Sequence, residues 1–312
     1  MAGHVNSQLA QDSENRAHCS YFKIAGITVE FRVDLPISTA SFSANLQPFE
    51  TGKADKDMVH IHHHFGLPPV SEYTADKLIY ERDDLSIYKN PERITFICTL
   101  LNQNSQPLKQ IAFVNPTYTD IQVFNEREDI FREGDIPILS FYQTDQLFIS
   151  RVLAQRQGCM IHAAGAIVQG KGFLFVGHST AGKSTMIKLL GNNATLLCDD
   201  RMIASKEQGG FRIHGTWHHG EIPEVSPLSA SLDALFFLEK APKNQLVQIL
   251  DKKESFNQLS SCTIRAIKPL STIDWWTKTL SVIENLVAHV PCWSVQFDKS
   301  GEIVPVIKGF SN

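Results

Sequence analysis

The sequence predicts an α/β protein with a mixed sheet, in which a P-loop domain follows a smaller, mostly β domain. Three observations predict it. Gly177, His178, Ser179, Thr180, Ala181, Gly182, Lys183 and Ser184 fit G-x-x-x-x-G-K-[ST], with Thr185 next. The stretch before that motif reads as two strands joined by a tight glycine turn. Residues 21–124 carry short apolar alternations cut by turn residues, with no convincing helical period.

Bulk properties narrow the function class. A chain of 312 residues suffices for one large domain or two ordinary ones. Hydrophobic residues make up 43% and charged residues 20%, the balance of a soluble globular protein. A net charge of −4 offers no basic footprint for nucleic acid and no polybasic membrane anchor. The six cysteines form no C-x-x-C pair, which argues against a zinc ribbon or a disulfide framework. No apolar run approaches the ~18–20 residues of a spanning helix, and residues 1–15 lack an apolar signal core. The expectation is a cytoplasmic protein without nucleic-acid or membrane partners.

Residues 1–18 read as a flexible polar arm. Phe22-Ile24 and Ile27-Val29-Phe31-Val33 have strand period, with Gly26 at the turn. Further strands are expected over residues 59–65, 78–81, 85–89, 93–101, 111–113 and 120–124. These fill a domain over residues 1–136, and the P-loop domain takes residues 137–312. It opens with a helix over 137–157, followed by strands at 159–168 and 173–176 that flank the 170–172 turn. Residues 185–190 start the helix after the loop, and 195–198 form a short strand. A hairpin over 202–214 turns at Gly209-Gly210. Strands are expected at 232–238 and 246–250, with Asp251 or Ser255 capping a helix to Cys262. Residues 273–289 give the clearest helix, with Ile273, Trp276, Leu280, Ile283, Leu286 and Val287 on one face. Residues 293–297 and 302–307 read as a closing hairpin.

The chemistry starts at the loop. Glycines let backbone N–H groups turn inward, and a helix N-terminus adds partial positive charge, so strand, loop and helix make an anion cradle. Lys183 is placed to reach the β- and γ-phosphates of a nucleotide, and the Ser184 hydroxyl to ligate Mg²⁺. Asp199 and Asp200 follow a short strand. Phosphoryl transfer uses one carboxylate to help hold Mg²⁺ and another to take a hydroxyl proton. Adjacent carboxylates that repel raise one pKa, which suits a base. Alternation on a strand sends the two to opposite sides, so only one meets the metal directly. His162, mid-strand beside the loop, is a candidate for orienting a carboxylate or phosphate. Arg201, Arg212 and Arg265 are candidates for stabilising transition-state charge. His60, His62 and His64 share one face of a strand, a spacing that chelates Zn²⁺, Cu²⁺ or Ni²⁺, but the strand itself holds no carboxylate or cysteine to complete a site.

Met160-Ile161-His162-Ala163-Ala164-Gly165-Ala166-Ile167-Val168, the loop motif, and Leu197-Cys198-Asp199-Asp200 together resemble the catalytic domain of HPr kinase/phosphorylase, a family related to ATP-dependent phosphoenolpyruvate carboxykinase. The match is strongest over residues 160–201. It implies a serine kinase using ATP and Mg²⁺. Lys183 and Ser184 then match the phosphate and metal ligands, His162 the strand histidine, Asp199 a metal partner and Asp200 the general base. The partner implied is a phosphate acceptor: a peptide, a protein or a small molecule. HPr kinases assemble into hexamers, so self-association belongs to what the resemblance implies. Thr185 departs from the family, which has glutamate there. Residues 214–221 replace its Glu-Ile-Arg-Gly run, and the loop over Trp217, His218, His219, Gly220 and Glu221 is a candidate for shaping acceptor choice.

Two other classes stay open at this level. An ordinary P-loop hydrolase or switch predicts parallel strands around the loop and a separate, later acidic strand. A non-catalytic nucleotide sensor predicts ATP binding without transfer to any acceptor.

Overall fold

A computed structural model describes residues 18–74, 76–101, 105–142, 144–265 and 267–310. The arm expected over residues 1–18 lies outside these, His18 apart. The fold is mixed α/β with two mixed sheets, and strands predominate. It divides into two compact units, one ending at Phe148 and the other beginning at Ile149. The sequence suggested a boundary at residues 136–137. The later position has a local cause: His63 Nε2 lies 2.9 Å from the Leu139 carbonyl and Tyr142 N–H donates to Gln110, which ties this segment to the first unit.

The first unit is built from β1 (Cys19–Ile24), β2 (Ile27–Val33), β3 (Glu50–Thr51), β4 (Met58–Phe65), α1 (Val70–Thr74), β5 (Lys77–Arg82), β6 (Leu85–Lys89), β7 (Ile94–Leu101), β8 (Pro107–Val114), β9 (Asp120–Asn125) and α2 (Asp129–Glu133). Its nine strands run in the order β3-β1-β2-β4-β9-β8-β7-β6-β5. β4 is parallel to both β2 and β9, and every other neighbour is antiparallel. The strands foreseen from the alternation all appear. On β4, Val59, Ile61 and His63 are buried while His60, His62 and His64 reach solvent. One face of the strand is thus core, sealed by Phe22 and Phe31 edge-on to Phe42. Burial lowers the His63 pKa to about 4, so it packs as a neutral ring.

The second sheet is reached through α3 (Asp145–Ala154), which is shorter than the helix predicted over residues 137–157. The Asp145 carboxylate accepts the N–H groups of Leu139 and Ser140 at 3.0 and 2.8 Å. That folds the preceding residues into a loop and starts the helix at Asp145. The second unit continues with β10 (Gly158–Val168), β11 (Lys171–Val176), α4 (Lys183–Leu190), β12 (Thr195–Cys198), β13 (Arg201–Glu207), β14 (Gly210–His214), β15 (Ser229–Lys240), β16 (Gln245–Gln248), α5 (Lys252–Ser261), α6 (Ile273–His289), β17 (Cys292–Phe297) and α7 (Ile303–Phe310). β10 and β11 form the foreseen antiparallel hairpin, whereas β11 pairs parallel with β15, and β15 with β17. β10 and β15 are long enough to serve three partners each: β13 then β11 and β12, and β14 then β11 and β17.

Both faces of this sheet are covered. Leu174, Val176, Leu235 and Phe237 point into one core with Leu259 of α5 and Val282, Ile283 and Leu286 of α6. Phe173, Phe175 and Phe236 point into another with Met186 and Ile187 of α4 and Ile303 and Ile307 of α7. The buried strands therefore read as continuous apolar runs.

Two expectations fail here. Residues 303–310 form α7 where a hairpin strand was predicted. β17 already has β15 on one side and β16 on the other, so no edge is left to pair with. Ile303, Val304 and Ile307 instead bury one helical face, and Phe310 meets Phe173, Phe236 and Trp293. The buried face of α6 is also rotated: it holds Trp275, Thr279, Val282, Ile283, Leu286 and Val287, while Ile273 is 87% exposed. The Trp275 indole donates to the Ser150 carbonyl at 3.2 Å beneath the Arg151 guanidinium, which fixes the helix orientation. Among the described residues no helix is long and apolar enough to cross a membrane.

Candidate functional site

The loop leaves the carboxyl end of β11, where Val176 pairs with Ala163 of β10. It turns through Thr180 at φ 70° and Gly182 at φ 106°, both left-handed. A Cβ on Gly182 would press on the Phe297 ring, and one on Gly177 would strike the Ala181 side chain, so both glycines are needed for close approach. α4 then starts at Lys183 without a side-chain cap, so its first-turn N–H groups face the loop. His178, Ser179 and Thr180 are exposed, Ala181, Gly182, Ser184 and Thr185 half-buried, and Lys183 7% exposed. The Lys183 ammonium folds back to the carbonyls of Gly177 and His178, at 2.9 and 3.1 Å. Burial lowers its pKa, against the opposing charge of Asp200. The His178 ring turns away to the Ser261 hydroxyl, 3.1 Å off.

The acidic pair arrives by register. β12 and β13 both pair antiparallel with β10, Cys198 opposite Gly165 and Arg201 opposite His162. Asp199 and Asp200 fill the gap between them, where the ladder breaks. Cys198 makes the break: its sulfur accepts the N–H groups of Asp200 and Arg201, both at 3.3 Å, and its thiol donates to the His218 carbonyl. The two carboxylates therefore take different partners. Asp199 is 2% exposed. It accepts N–H bonds from Gly220 at 2.6 Å and Ile222 at 3.1 Å, and the Ser184 hydroxyl at 3.2 Å. Asp200 is less buried, and its Oδ1 lies 3.0 Å from His162 Nε2 and 2.6 Å from Arg201.

The expectation that crowding would raise the pKa of one carboxyl is not met at Asp200. Burial pushes it up, but His162, Arg201 and Lys183 outweigh burial and hold it below the ordinary carboxylate value. Its nearest charged neighbours are cations, because Asp199 has turned inward.

The geometry sorts the remaining candidates. Loop residues, Lys183, Ser184, Asp199, Asp200 and His162 come together. Of the three arginines, Arg201 joins them. Arg212 on β14 pairs with Glu207 of β13 and Ser229 of β15, and Arg265 lies over Trp276. Trp217 is 1% exposed and so is packing, unable to meet an acceptor from solvent. Its loop contributes backbone: a Cβ on Gly220 would sit 3.1 Å from the Asp199 carboxylate, so glycine lets this N–H reach it. Cys198 and Thr216 were given no role from the sequence, and Gly220 entered only as part of the candidate acceptor loop. The Thr216 hydroxyl donates to the Arg201 carbonyl at 2.6 Å and so ties the loop to β13. A cysteine directly before an acidic pair was the one available signal.

Residues 129–309, more than half of the chain, match the family described as SynChlorMet cassette protein ScmC. The chain belongs to that family. The match takes in every residue of the 177–185 loop and of the acidic pair. No curated protein matches the chain.

Proposed function

We propose that this ScmC-family chain is an ATP-dependent kinase that transfers the γ-phosphate to a serine-type hydroxyl of a peptide, protein or small molecule. The observation that carries the reading is the Ser184 hydroxyl held against the buried Asp199 carboxylate, at the start of a helix that follows a G-x-x-x-x-G-K-S loop. The finer fold description belongs to the same proposal: a P-loop domain of the HPr kinase and phosphoenolpyruvate carboxykinase type. The β10–β11 hairpin and the acidic pair after β12 support it.

The loop and the first turn of α4 present backbone N–H groups to the phosphates, and Lys183 supplies a cation there. Ser184 donates its proton to Asp199, so its lone pairs are free for a metal, and the donor set of hydroxyl and carboxylate oxygens suits Mg²⁺. Mg²⁺ bound there neutralises charge on the phosphates. Asp200 is the general base. Both of its ionic contacts use Oδ1, which leaves Oδ2 for the acceptor hydroxyl. As the acceptor oxygen bonds to phosphorus, its proton passes to Asp200 and the bridging oxygen leaves with ADP. His162 and Arg201 orient the carboxylate and keep it ionised at neutral pH. The setting that fits is the cytoplasm, where ATP and Mg²⁺ are abundant.

The ion pair of Asp200 with Arg201 favours one second reading, a nucleotide-binding sensor without transfer, because it competes with the base role. Transfer of label from γ-labelled ATP to acceptors in cell extract separates the two. In the kinase reading Lys183→Ala abolishes ATP binding or turnover. Asp200→Asn lowers transfer by about 100- to 10,000-fold while ATP still binds. Wild-type transfer by Asp200→Asn removes Asp200 as base, and tight ATP binding with no labelled product from the wild type favours the sensor.

A further inference from the structure

We propose that Asp34, His62 and His64 bind one divalent transition-metal ion of the Zn²⁺ class. The site lies in the first unit and does not depend on the kinase reading. Their ligating atoms all fall within 4.8 Å of one another. His62 Nε2 is 2.9 Å from Asp34 Oδ1, and His64 Nδ1 is 3.0 Å from Asp34 Oδ2. The carboxylate of the cluster is not one of those adjacent in sequence, Asp55 and Asp57; sheet pairing supplies it from the neighbouring strand. β2 lies parallel to β4 with Val33 opposite His63, and the next N–H, that of Asp34, donates to the His63 carbonyl at 3.1 Å. That places Asp34 beside His62 and His64. Two side chains come from one strand and the third from its neighbour, and β4 is paired on both sides, so the backbone of the site is rigid.

The hydrogen bonds indicate which nitrogen is free. On β9, the Gln122 side-chain amide donates to the Asp120 carboxylate at 3.0 Å. A carboxylate only accepts, so the Gln122 oxygen faces the other way, 2.9 Å from His64 Nε2. His64 Nε2 must therefore carry the proton. In the neutral ring Nδ1 then has a lone pair aimed at Asp34. A proton on Nδ1 or a metal ion can each bridge that nitrogen to Asp34 Oδ2, and the titration below separates the two. Two imidazole nitrogens and one carboxylate on one point are the ligand chemistry of Zn²⁺, with water completing the shell. The Asp120–Gln122–His64 chain is the outer hydrogen-bond support such histidine ligands carry. Side-chain exposures of 48% for Asp34, 28% for His62 and 25% for His64 leave the site open to solvent ions. His60, on the same face, pairs with Glu30 and is not among the groups whose ligating atoms converge within 4.8 Å.

Full-length, tag-free protein stripped with chelator is titrated calorimetrically with Zn²⁺ alone, without nucleotide. The wild type is expected to take up one ion at micromolar concentration or below. His64→Ala and Asp34→Asn should each weaken uptake at least about 10-fold, Gln122→Leu about 10- to 100-fold, and His60→Ala not at all. Asp34 and His64 reach solvent, and thermal melts of both variants verify that they fold. A wild type that takes up no Zn²⁺ at micromolar concentration overturns the site. So does wild-type uptake by folded His64→Ala and Asp34→Asn, or loss of uptake in His60→Ala.

Discussion

In the first unit the polar side chains of interest lie along the middle of a strand; in the second they lie at strand ends or, at His162, where a strand changes partners. β4 carries His60, His62 and His64 on a face that reaches solvent, with Val59, Ile61 and His63 alternating beneath. β11 buries all but its first residue, because α4 and α7 cover one face of the sheet and α5 and α6 the other. A polar group in the middle of such a strand would lose its water without gaining a partner. The second sheet therefore presents chemistry where strands stop or change partners: after Val176, after Cys198, and at His162, where β10 passes from β13 to β11. Open sheets flanked by helices bind ligands outside the carboxyl ends of their strands for this reason. The first sheet builds its cluster on the open face, where register alone aligns the ligands.

This contrast can be tested from the largest effect down. Phe236, in the middle of β15 between Phe173, Phe175 and Phe310, should cost about 3–5 kcal/mol when changed to Ala, read by denaturant unfolding. Lys109→Ala, at an exposed position of β8 in the first sheet, should stay within about 0.5 kcal/mol. Equal losses would mean that the second sheet is not sealed on both faces.

A smaller effect concerns acid. Burial, with the charge of Arg212, lowers the His214 pKa to about 4 from 6.5. The unfolded chain therefore takes up its proton first, and stability present above pH 6.5 is lost as the pH falls toward about 4. The linked loss is about 3 kcal/mol at the low end. His214→Gln, which can keep the 2.8 Å hydrogen bond to Ser205, should flatten that part of the pH–stability curve. An unchanged curve would refute a buried, neutral His214.

A smaller loss than that at Phe236 is expected at the break in the ladder. Cys198→Ala strands the N–H groups of Asp200 and Arg201 and should cost about 1–3 kcal/mol in unfolding free energy. If it costs nothing, the sulfur does not hold the acidic turn.

Much of this was legible in the chain. Alternation located the strands of the first unit, and the Gly-Lys-Gly turn signalled the β10–β11 hairpin. Asp251 was readable as a cap, and its carboxylate does accept the Lys253 N–H at 2.8 Å. What failed depended on neighbours. Residues 303–310 have apolar residues that fit either period, and only the occupied edges of β17 exclude a strand. Trp275 and Trp276 are equivalent in sequence until the Ser150 carbonyl selects one. At the site, residue types were readable and environments were not: adjacency suggested two repelling carboxylates, whereas Asp199 turns to backbone donors more than twenty residues further on.

By itself the sequence determined the loop, its lysine and serine, the acidic pair and the alternating histidines, because local spacing and residue chemistry specify these. Only the tertiary structure decided that Asp199 meets Ser184, that Asp200 sits among cations, and that Asp34 joins His62 and His64. Those meetings depend on strand register and on which faces are covered, and both are set by pairings between residues far apart in the chain.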